Sequence, residues 1–215
     1  MKSLWFLLVL LLSGCAIGAG KSMPYEAWYL GFGAPAYMEV WIETADVVDI
    51  QGHIFKRAMA GIAAIQTPTN NRGNPRGWPK RPGWGKGKYV MNTDLPRLIY
   101  VHWQSLVEPQ TYEAYIEIPE SVRSIMRKEE KAFCRTTGKW EVDYREAIGI
   151  GLASGGIAKT WVLGPCLPPI EITRVEGKVV REGPDLGLNE GRYALKLQPE
   201  SKVYIEQFGI PYGSW

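Results

Sequence analysis

The sequence predicts an α+β protein, mainly antiparallel β in a sandwich-like or curved sheet, with one clear amphipathic helix at about residues 119–133. Three observations support this fold class. The 215 residues include 9 Trp, 11 Tyr, 24 Gly and 15 Pro, a composition that suits strands joined by turns. Short runs alternate between apolar and polar residues with a period of two, as at residues 37–43. A single segment has the spacing of a clear amphipathic helix.

The N-terminal residues have the layout of an export signal. Lys2 precedes an apolar stretch at residues 4–12, which is shorter than the roughly 20 residues that a membrane-spanning helix needs. The next residues, Leu12-Ser13-Gly14-Cys15, are similar to the lipobox that lipoprotein signal peptidase cleaves. Cys15 is therefore expected to become the lipid-modified first residue of the mature chain, and its several acyl chains would form a firm membrane anchor.

This signal defines the expected domain organisation. Residues 1–14 are the signal peptide, 15–24 a lipidated tether, and 25–215 a single β-rich periplasmic domain of a length that supports one core. Ala16 follows the cysteine in place of the Asp that often holds lipoproteins in the inner membrane, which favours the outer membrane, periplasmic face.

Charge and cysteine usage limit the classes of partner. Cleavage removes Lys2 from 25 basic residues set against 22 acidic ones, and this near balance argues neither for nucleic acid nor for a strongly acidic partner. No nucleic-acid partner is expected for a periplasmic protein. After lipidation of Cys15, Cys134 and Cys166 remain as an even pair in an oxidising compartment. A disulfide between them would contribute roughly 3.5 kcal/mol to stability, and two buried free thiols are the alternative.

Strands are expected throughout the mature chain. The first two are separated by the turn residues Gly33-Ala34-Pro35 and are expected to form a hairpin. Residues 55–65 are Ala-rich and favour a short helix, although Gly61 weakens that interpretation. The expected strands lie at residues 25–32, 37–43, 47–54, 98–105, 112–118, 148–153, 158–163, 170–180, 192–197 and 203–208.

The helix at about 119–133 has recognisable end signals. Pro119 suits the first helical position, and Glu120 interacts favourably with the helix dipole. Four apolar residues fall on one face of this helix: Val122, Ile125, Met126 and Phe133.

A basic loop is the segment that most favours a binding function. Residues 70–88 hold repeated Pro and Gly, which exclude regular structure, and no acidic residue. Loops of this length without secondary structure are usually functional or disordered. Aromatic and Arg residues of the kind enriched at binding hot spots occur here, namely Arg76, Trp78, Lys80, Arg81 and Trp84. Such a loop could engage an acidic protein surface or anionic lipid headgroups. The alternative is a solvated, flexible excursion whose tryptophans pack back on the sheet.

Catalytic and metal-binding patterns are missing from the sequence. His53 and His102 are far apart, and neither lies in a metal-binding motif, so no metal or cofactor is expected. Glu39 and Glu43 lie on one strand face with Trp41, a pattern that fits a solvated face better than a sugar-cleaving pair. The sequence thus predicts a protein that is not an enzyme.

Two short motifs resemble catalytic sites without their context. Gly18-Ala19-Gly20-Lys21-Ser22 lacks the first glycine of a phosphate-binding loop and adjoins the export signal. Residues 151–156 resemble a nucleophile elbow with the wrong spacing, and no His follows position 102. The second motif is interpreted as a Gly-rich turn between strands.

Residues 100–128 carry a resemblance to a known family. Their sequence, YVHWQSLVEPQTYEAYIEIPESVRSIMRK, has a strand ending in Trp103-x-Ser105, a turn, a strand with Tyr112 and Tyr115, and Pro119 opening a helix. Residues 151–166 add a Gly-rich turn before a strand with Trp161 and Gly164, and residues 25–43 add a Gly-x-Gly-x-Pro. On these motifs the chain resembles the bacterial lipoprotein family DUF2931 over nearly its whole mature length.

The resemblance implies a binding function. Some members lie beside phospholipase toxins of the type VI secretion system, which implies a periplasmic immunity lipoprotein that neutralises a secreted lipase toxin. The alternative is an envelope assembly or maintenance lipoprotein with no toxin partner. The basic loop matches no family pattern, so it is expected to be this protein's own specificity element.

Overall fold

The computed structural model describes residues 23–215, so Cys15, the expected signal peptide and residues 15–22 of the expected tether lie outside the described residues. Within the described residues the fold consists of twelve strands, two α-helices and two single turns of 3-10 helix. The strands are β1 (Ala27–Gly33), β2 (Val40–Asp49), β3 (Ile54–Ile62), β4 (Lys86–Met91), β5 (Pro96–Ser105), β6 (Gln110–Glu117), β7 (Glu130–Cys134), β8 (Lys139–Asp143), β9 (Ala147–Ala153), β10 (Ile157–Leu163), β11 (Ile170–Glu176) and β12 (Lys178–Val179). The helices are α1 (Glu120–Met126) and α2 (Pro199–Phe208), and the 3-10 turns are Thr69–Asn71 and Pro184–Gly187.

The strands form two five-stranded sheets and one two-stranded hairpin. The first sheet has the order β11-β10-β9-β1-β4, and the second has the order β12-β6-β5-β2-β3. Neighbouring strands are antiparallel except for β1 and β9, which pair in parallel. The predicted α+β class with mainly antiparallel sheets is therefore confirmed.

The core lies between the two sheets, whose inner faces contribute to one cluster of buried side chains. Burial of this apolar surface is the main favourable term in folding, and face-to-face packing of two sheets is the usual way for antiparallel strands to achieve it. The first sheet contributes Trp28, Leu30, Phe32, Ile148, Ile150 and Val162, and the second contributes Val40, Ile42, Val47, Ile99, Val101, Trp103 and Ile116.

Several expected strands are confirmed, but the partners of the first two are not. β5 and β6 form the expected hairpin, and β9 and β10 are joined by the Gly-rich turn. The expected hairpin of the first two strands is wrong, because β1 and β2 belong to different sheets. The turn residues 33–35 instead begin the connection that takes the chain from the first sheet to the second, and Tyr37 in this connection adopts a positive φ of 66°.

Two segments before the basic loop also differ from expectation. The strand expected at residues 47–54 is the end of β2 and the turn that leads into β3. The short helix expected at residues 55–65 is strand β3, which pairs with β2 along the sheet edge. Pairing with a neighbouring strand outweighs the weak helix propensity of an Ala-rich segment.

The helix expected at about 119–133 is present, but it ends at Met126. Its expected second half is strand β7, in which Phe133 pairs with Trp140 of β8. The hairpin provides these residues with cross-strand partners and brings Cys134 to Cys166.

The C-terminal region is the other correction. Residues 192–197 form no strand, and the strand expected at 203–208 is helix α2, with Pro199 at its first helical turn. Tyr204 of this helix stacks on Tyr37, with ring centroids 4.3 Å apart. Tertiary packing on one face thus stabilises a helix in a segment rich in β-formers.

The β7–β8 hairpin is attached to the first sheet at two points. Cys134 and Cys166 are joined by a disulfide with Cα atoms 4.9 Å apart, which connects the hairpin to the turn between β10 and β11. Arg145, which is buried, donates from Nε to Glu130 at 2.6 Å and from a guanidinium nitrogen to the carbonyl of Pro168. Isolated two-stranded hairpins are marginally stable, so these attachments fix its position. No helix within residues 23–215 is long and apolar enough to cross a membrane.

The disulfide between Cys134 and Cys166 is expected to stabilise the folded protein. Replacing both partners, Cys134→Ser with Cys166→Ser, is expected to lower the free energy of unfolding by about 3.5 kcal/mol, because the bond closes a loop of 32 residues in the unfolded chain. Urea unfolding followed by circular dichroism measures the change. The unsubstituted chain under reducing conditions should approach the double variant, and equal midpoints with and without the bond would contradict the prediction.

Candidate functional site

The basic loop lies against a surface that has no side chains. β1 and β9 alternate apolar residues with glycine, and their parallel register places Gly31 beside Gly149 and Gly33 beside Gly151. The apolar residues between them face the core, so the four glycines form a strip on the outer face of the first sheet. We call this surface the glycine strip.

Trp78 packs on one end of the glycine strip. Its ring lies so close to Gly151 that a Cβ at that position would overlap it. The ring also contacts Trp161 of β10 edge-to-face, with centroids 5.4 Å apart. Its Nε1 is buried and has no hydrogen-bond partner within the described part of the chain.

Trp84 closes the loop at the other end of the strip. Its ring lies 5.5 Å from that of Tyr29, whose hydroxyl donates to the carbonyl of Gly85 at 3.3 Å. The carbonyl of Trp84 occupies the space that a Cβ on Gly31 would need. Both tryptophans of the basic loop therefore pack on the sheet, as the second interpretation of the loop expected.

The first residues of the loop are held by hydrogen bonds from distant parts of the chain. The amide of Gly73 donates to the hydroxyl of Tyr37 at 2.9 Å, and that hydroxyl donates to the carbonyl of Pro68 at 2.7 Å. Trp215 Nε1 donates to the carbonyl of Pro75 at 2.7 Å, and Trp215 is itself buried. The loop is a fixed surface rather than a free excursion.

Between the loop and the strip lies a cleft of about 730 Å³. Arg76 and Arg81 reach its wall from the loop, and both are exposed without an ion pair within residues 23–215. Lys80 is exposed on the loop but does not line the cleft. The side chains that line the cleft, all among the described residues, include no carboxylate, imidazole, thiol or hydroxyl group.

The cleft can bind a ligand that is partly flat and apolar and partly acidic. Indole rings provide broad apolar contact, and guanidinium groups form paired hydrogen bonds with carboxylates. Four residues of the cleft lie in the binding loop that the sequence predicted: Arg76, Trp78, Arg81 and Trp84. The contributions of Trp161 and of the glycine strip were not predicted. The alternation of glycine with apolar residues in both strands was the available signal for the strip.

A second polar region lies on the outer face of the second sheet, beneath residues 183–198, which we call the C-terminal strap. The amide of Asp185 donates to Glu43 at 2.8 Å, and the amide of Ala194 donates to Gln104 at 2.8 Å. The amide of Gln198 donates to Glu39 at 3.0 Å. Glu39 is only 1% exposed, so the expectation that Glu39 and Glu43 lie on a solvated face is wrong.

Glu43 also forms a buried pair with His102. Its Oε2 lies 2.9 Å from His102 Nδ1, and its Oε1 accepts a hydrogen bond from Gln104 Nε2 at 2.7 Å. Burial raises the pKa of Glu43, but the hydrogen bonds from His102, the Asp185 amide and Gln104 outweigh it and hold the pKa below its ordinary value. The ionised carboxylate thus fastens the strap to the sheet.

The remaining candidate donors to a metal are engaged elsewhere. Donor atoms of Cys134, Glu141 and Cys166 lie within 4.8 Å of one another, a spacing that suits a metal ion. Both sulfur atoms form the disulfide, so they are not available as thiolate ligands in this structure.

The fold and the cleft define a two-sheet α+β protein with a cleft built by one loop over the first sheet. The family model described as a protein of unknown function, DUF2931, matches residues 18–213, and the chain belongs to that family. No curated protein and no solved structure matches the chain.

Gly151→Ala is expected to displace Trp78, because the added methyl group would overlap the indole ring. Overpacking of this kind costs about 1–3 kcal/mol, and the exposed indole should shift the tryptophan emission to longer wavelength. Gly33→Ala is the matched control, since its added Cβ would meet its nearest atom at 3.7 Å. Equal stability and emission in both variants would refute the packing argument.

The pH dependence of the strap follows from Glu43. Its pKa is lowered on folding, so its contribution to stability is present above its ordinary pKa of 4.5 and is lost as the pH falls through the lowered value. The protection of the Asp185 and Ala194 amides against hydrogen exchange, relative to their intrinsic exchange rates, should fall over that acid range. Glu43→Gln should remove this acid dependence, whereas Glu120→Gln, on helix α1, should leave it unchanged; identical profiles in all three proteins would overturn the assignment.

Proposed function

We propose that this protein is an outer-membrane lipoprotein facing the periplasm that acts by binding another protein, and that it is an immunity protein for a type VI secreted phospholipase toxin. The cleft over the glycine strip is the surface that binds the toxin. The observation that carries the proposal is the fixed basic loop, whose Arg76 and Arg81 are exposed beside Trp78 and Trp84 and have no ion pair among the described residues.

The chemistry of the cleft supports binding over catalysis. Acyl or glycosyl transfer requires a nucleophile or an acid–base group at the reacting atom, and the described side chains around the cleft provide neither. Exposed arginines beside packed aromatic rings are the residues that most often dominate the binding energy of protein interfaces. The partner surface is expected to carry carboxylates that face Arg76 and Arg81.

The rigidity of the loop supports a tight complex. Trp78, Trp84 and the hydrogen bond from Trp215 order the loop before any partner arrives. A partner then does not pay the entropy of ordering it, which is a general route to high affinity. The lipobox ending at Cys15 would hold the protein where a toxin delivered into the periplasm attacks the membrane.

The first test is the gene neighbourhood, where the proposal expects a gene for a secreted phospholipase, and the second is protection of cells against the product of that gene. The phospholipase is expressed in the periplasm with the unsubstituted chain, with Arg76→Glu and Arg81→Glu together, or with the control pair Arg97→Glu and Arg181→Glu, which has the same charge change at exposed sites elsewhere. The cleft variant is expected to lose protection. Its affinity for the purified phospholipase should fall at least about 30-fold for each arginine, the size of a hot-spot contact.

Two outcomes would count against the proposal. Equal killing with and without the unsubstituted chain would reject the immunity function and favour a role in envelope assembly or maintenance. Full protection by the Arg76 and Arg81 variant would show that the toxin binds to a surface other than the cleft.

A further inference from the structure

One face of the β7–β8 hairpin is apolar, aromatic and exposed. The register pairs Phe133 with Trp140 and Lys131 with Val142, so these four side chains share a face. Phe133 is 48% exposed, Trp140 66% and Val142 59%. We call this surface the aromatic face.

The exposure of the aromatic face requires an explanation. The disulfide and the Arg145 contacts hold the hairpin in place without covering this face. Clustered exposed apolar residues usually mark an interaction surface, since leaving them in water forfeits the stability that burial provides.

The exposed charges of the hairpin are basic, although its three acidic and three basic residues balance in number. Its acidic side chains are half-buried and hydrogen-bonded within the protein: Glu130 accepts from Arg145, Glu141 accepts from Thr137, and Asp143 accepts from the Tyr144 amide. Its basic side chains are Lys131, Arg135 and Lys139, all exposed and without an ion pair within residues 23–215. The Lys131 amine lies 5.9 Å from the Trp140 ring.

The hairpin lies close to the start of the described chain, where the tether from Cys15 arrives, and this favours a membrane as the partner of the aromatic face. Tyr25 contacts Tyr144, which directly follows β8, with ring centroids 5.7 Å apart, and its hydroxyl donates to the carbonyl of Met126 at 3.2 Å. The described chain therefore begins at the base of the hairpin. The eight residue-to-residue steps from Cys15 to Met23 can span at most about 28 Å, which exceeds the hairpin length of about 15 Å. A membrane that holds the Cys15 lipid is therefore within reach of the hairpin.

We propose that the aromatic face of the β7–β8 hairpin docks into the headgroup region of the membrane that holds the Cys15 lipid. Trp and Phe partition into the interface, and Lys131 on the same face and Arg135 in the adjoining turn attract anionic headgroups, whereas Lys139 lies on the opposite face. The docked hairpin fixes the orientation of the domain on the membrane. The inference rests on the proposed lipid anchor at Cys15 and is independent of any toxin.

Site-specific photo-crosslinking in intact cells tests this proposal on the full chain. The photoreactive residue p-benzoylphenylalanine replaces Phe133 or Val142 on the aromatic face. As controls it replaces Glu141, on the opposite face of the same hairpin, or Phe208, which is 55% exposed on helix α2. Mass spectrometry identifies the adducts after irradiation.

Phospholipid adducts at positions 133 and 142, severalfold above those at 141 and 208, are the expected result. Two independent positions keep the test valid if one variant misfolds. Protein adducts at 133 and 142 would overturn the proposal in favour of a protein partner or a second copy. Equal lipid adducts at all four positions, or none at any, would also overturn it.

The outcomes separate this inference from the proposed function. Absence of an acyl label on Cys15 removes the anchor and overturns the membrane docking, whatever the result of the protection test. Failure of protection with intact phospholipid adducts at position 133 rejects the immunity function alone.

Discussion

The parallel pairing of β1 with β9 is the constraint on which the rest of the first sheet depends. It aligns two strands that each alternate glycine with apolar residues, so that one face fills the core and the other exposes bare backbone. Only residues without a Cβ allow the loop to approach so closely, because side chains at Gly31 or Gly151 would occupy the space of Trp84 and Trp78. The cleft exists because the loop rests on this surface at two points and spans the distance between them.

Sequence patterns were informative where local chemistry decides structure. Strand-like runs bounded by turn residues predicted β5, β6, β9 and β10, and Pro119 marked the start of α1. They were misleading where contacts with a distant segment determine the structure. The Ala-rich segment is strand β3 because it pairs with the edge of β2. Residues 199–208 form a helix, which is stabilised by the stacking of Tyr204 on Tyr37. Short apolar runs fit both the helical period of 3.6 and the strand period of two, so their structure depends on tertiary packing against other segments.

The candidate site shows the same division. The density of Pro, Gly, Arg and Trp indicated the loop and four residues of the cleft. The indole of Trp161 and the hydrogen bond from Trp215 come from segments far along the chain, and no spacing in the sequence connects them to residue 78. The burial of Glu39 and Glu43 likewise depends on a strap that lies beside them only in the folded molecule.

The parallel pair also has a kinetic consequence. Tyr29 pairs with Ala147 across most of the described chain, and β1 lies between β4 and β9, so the edge of β1 that faces β9 cannot be paired until residues 147–153 have been synthesised. Contacts of such long sequence separation close slowly, and this edge of β1 stays open to other chains in the meantime. With the proposed lipid anchor on Cys15, this pairing would be completed beside the membrane, because β1 is the described strand nearest to the anchor along the chain.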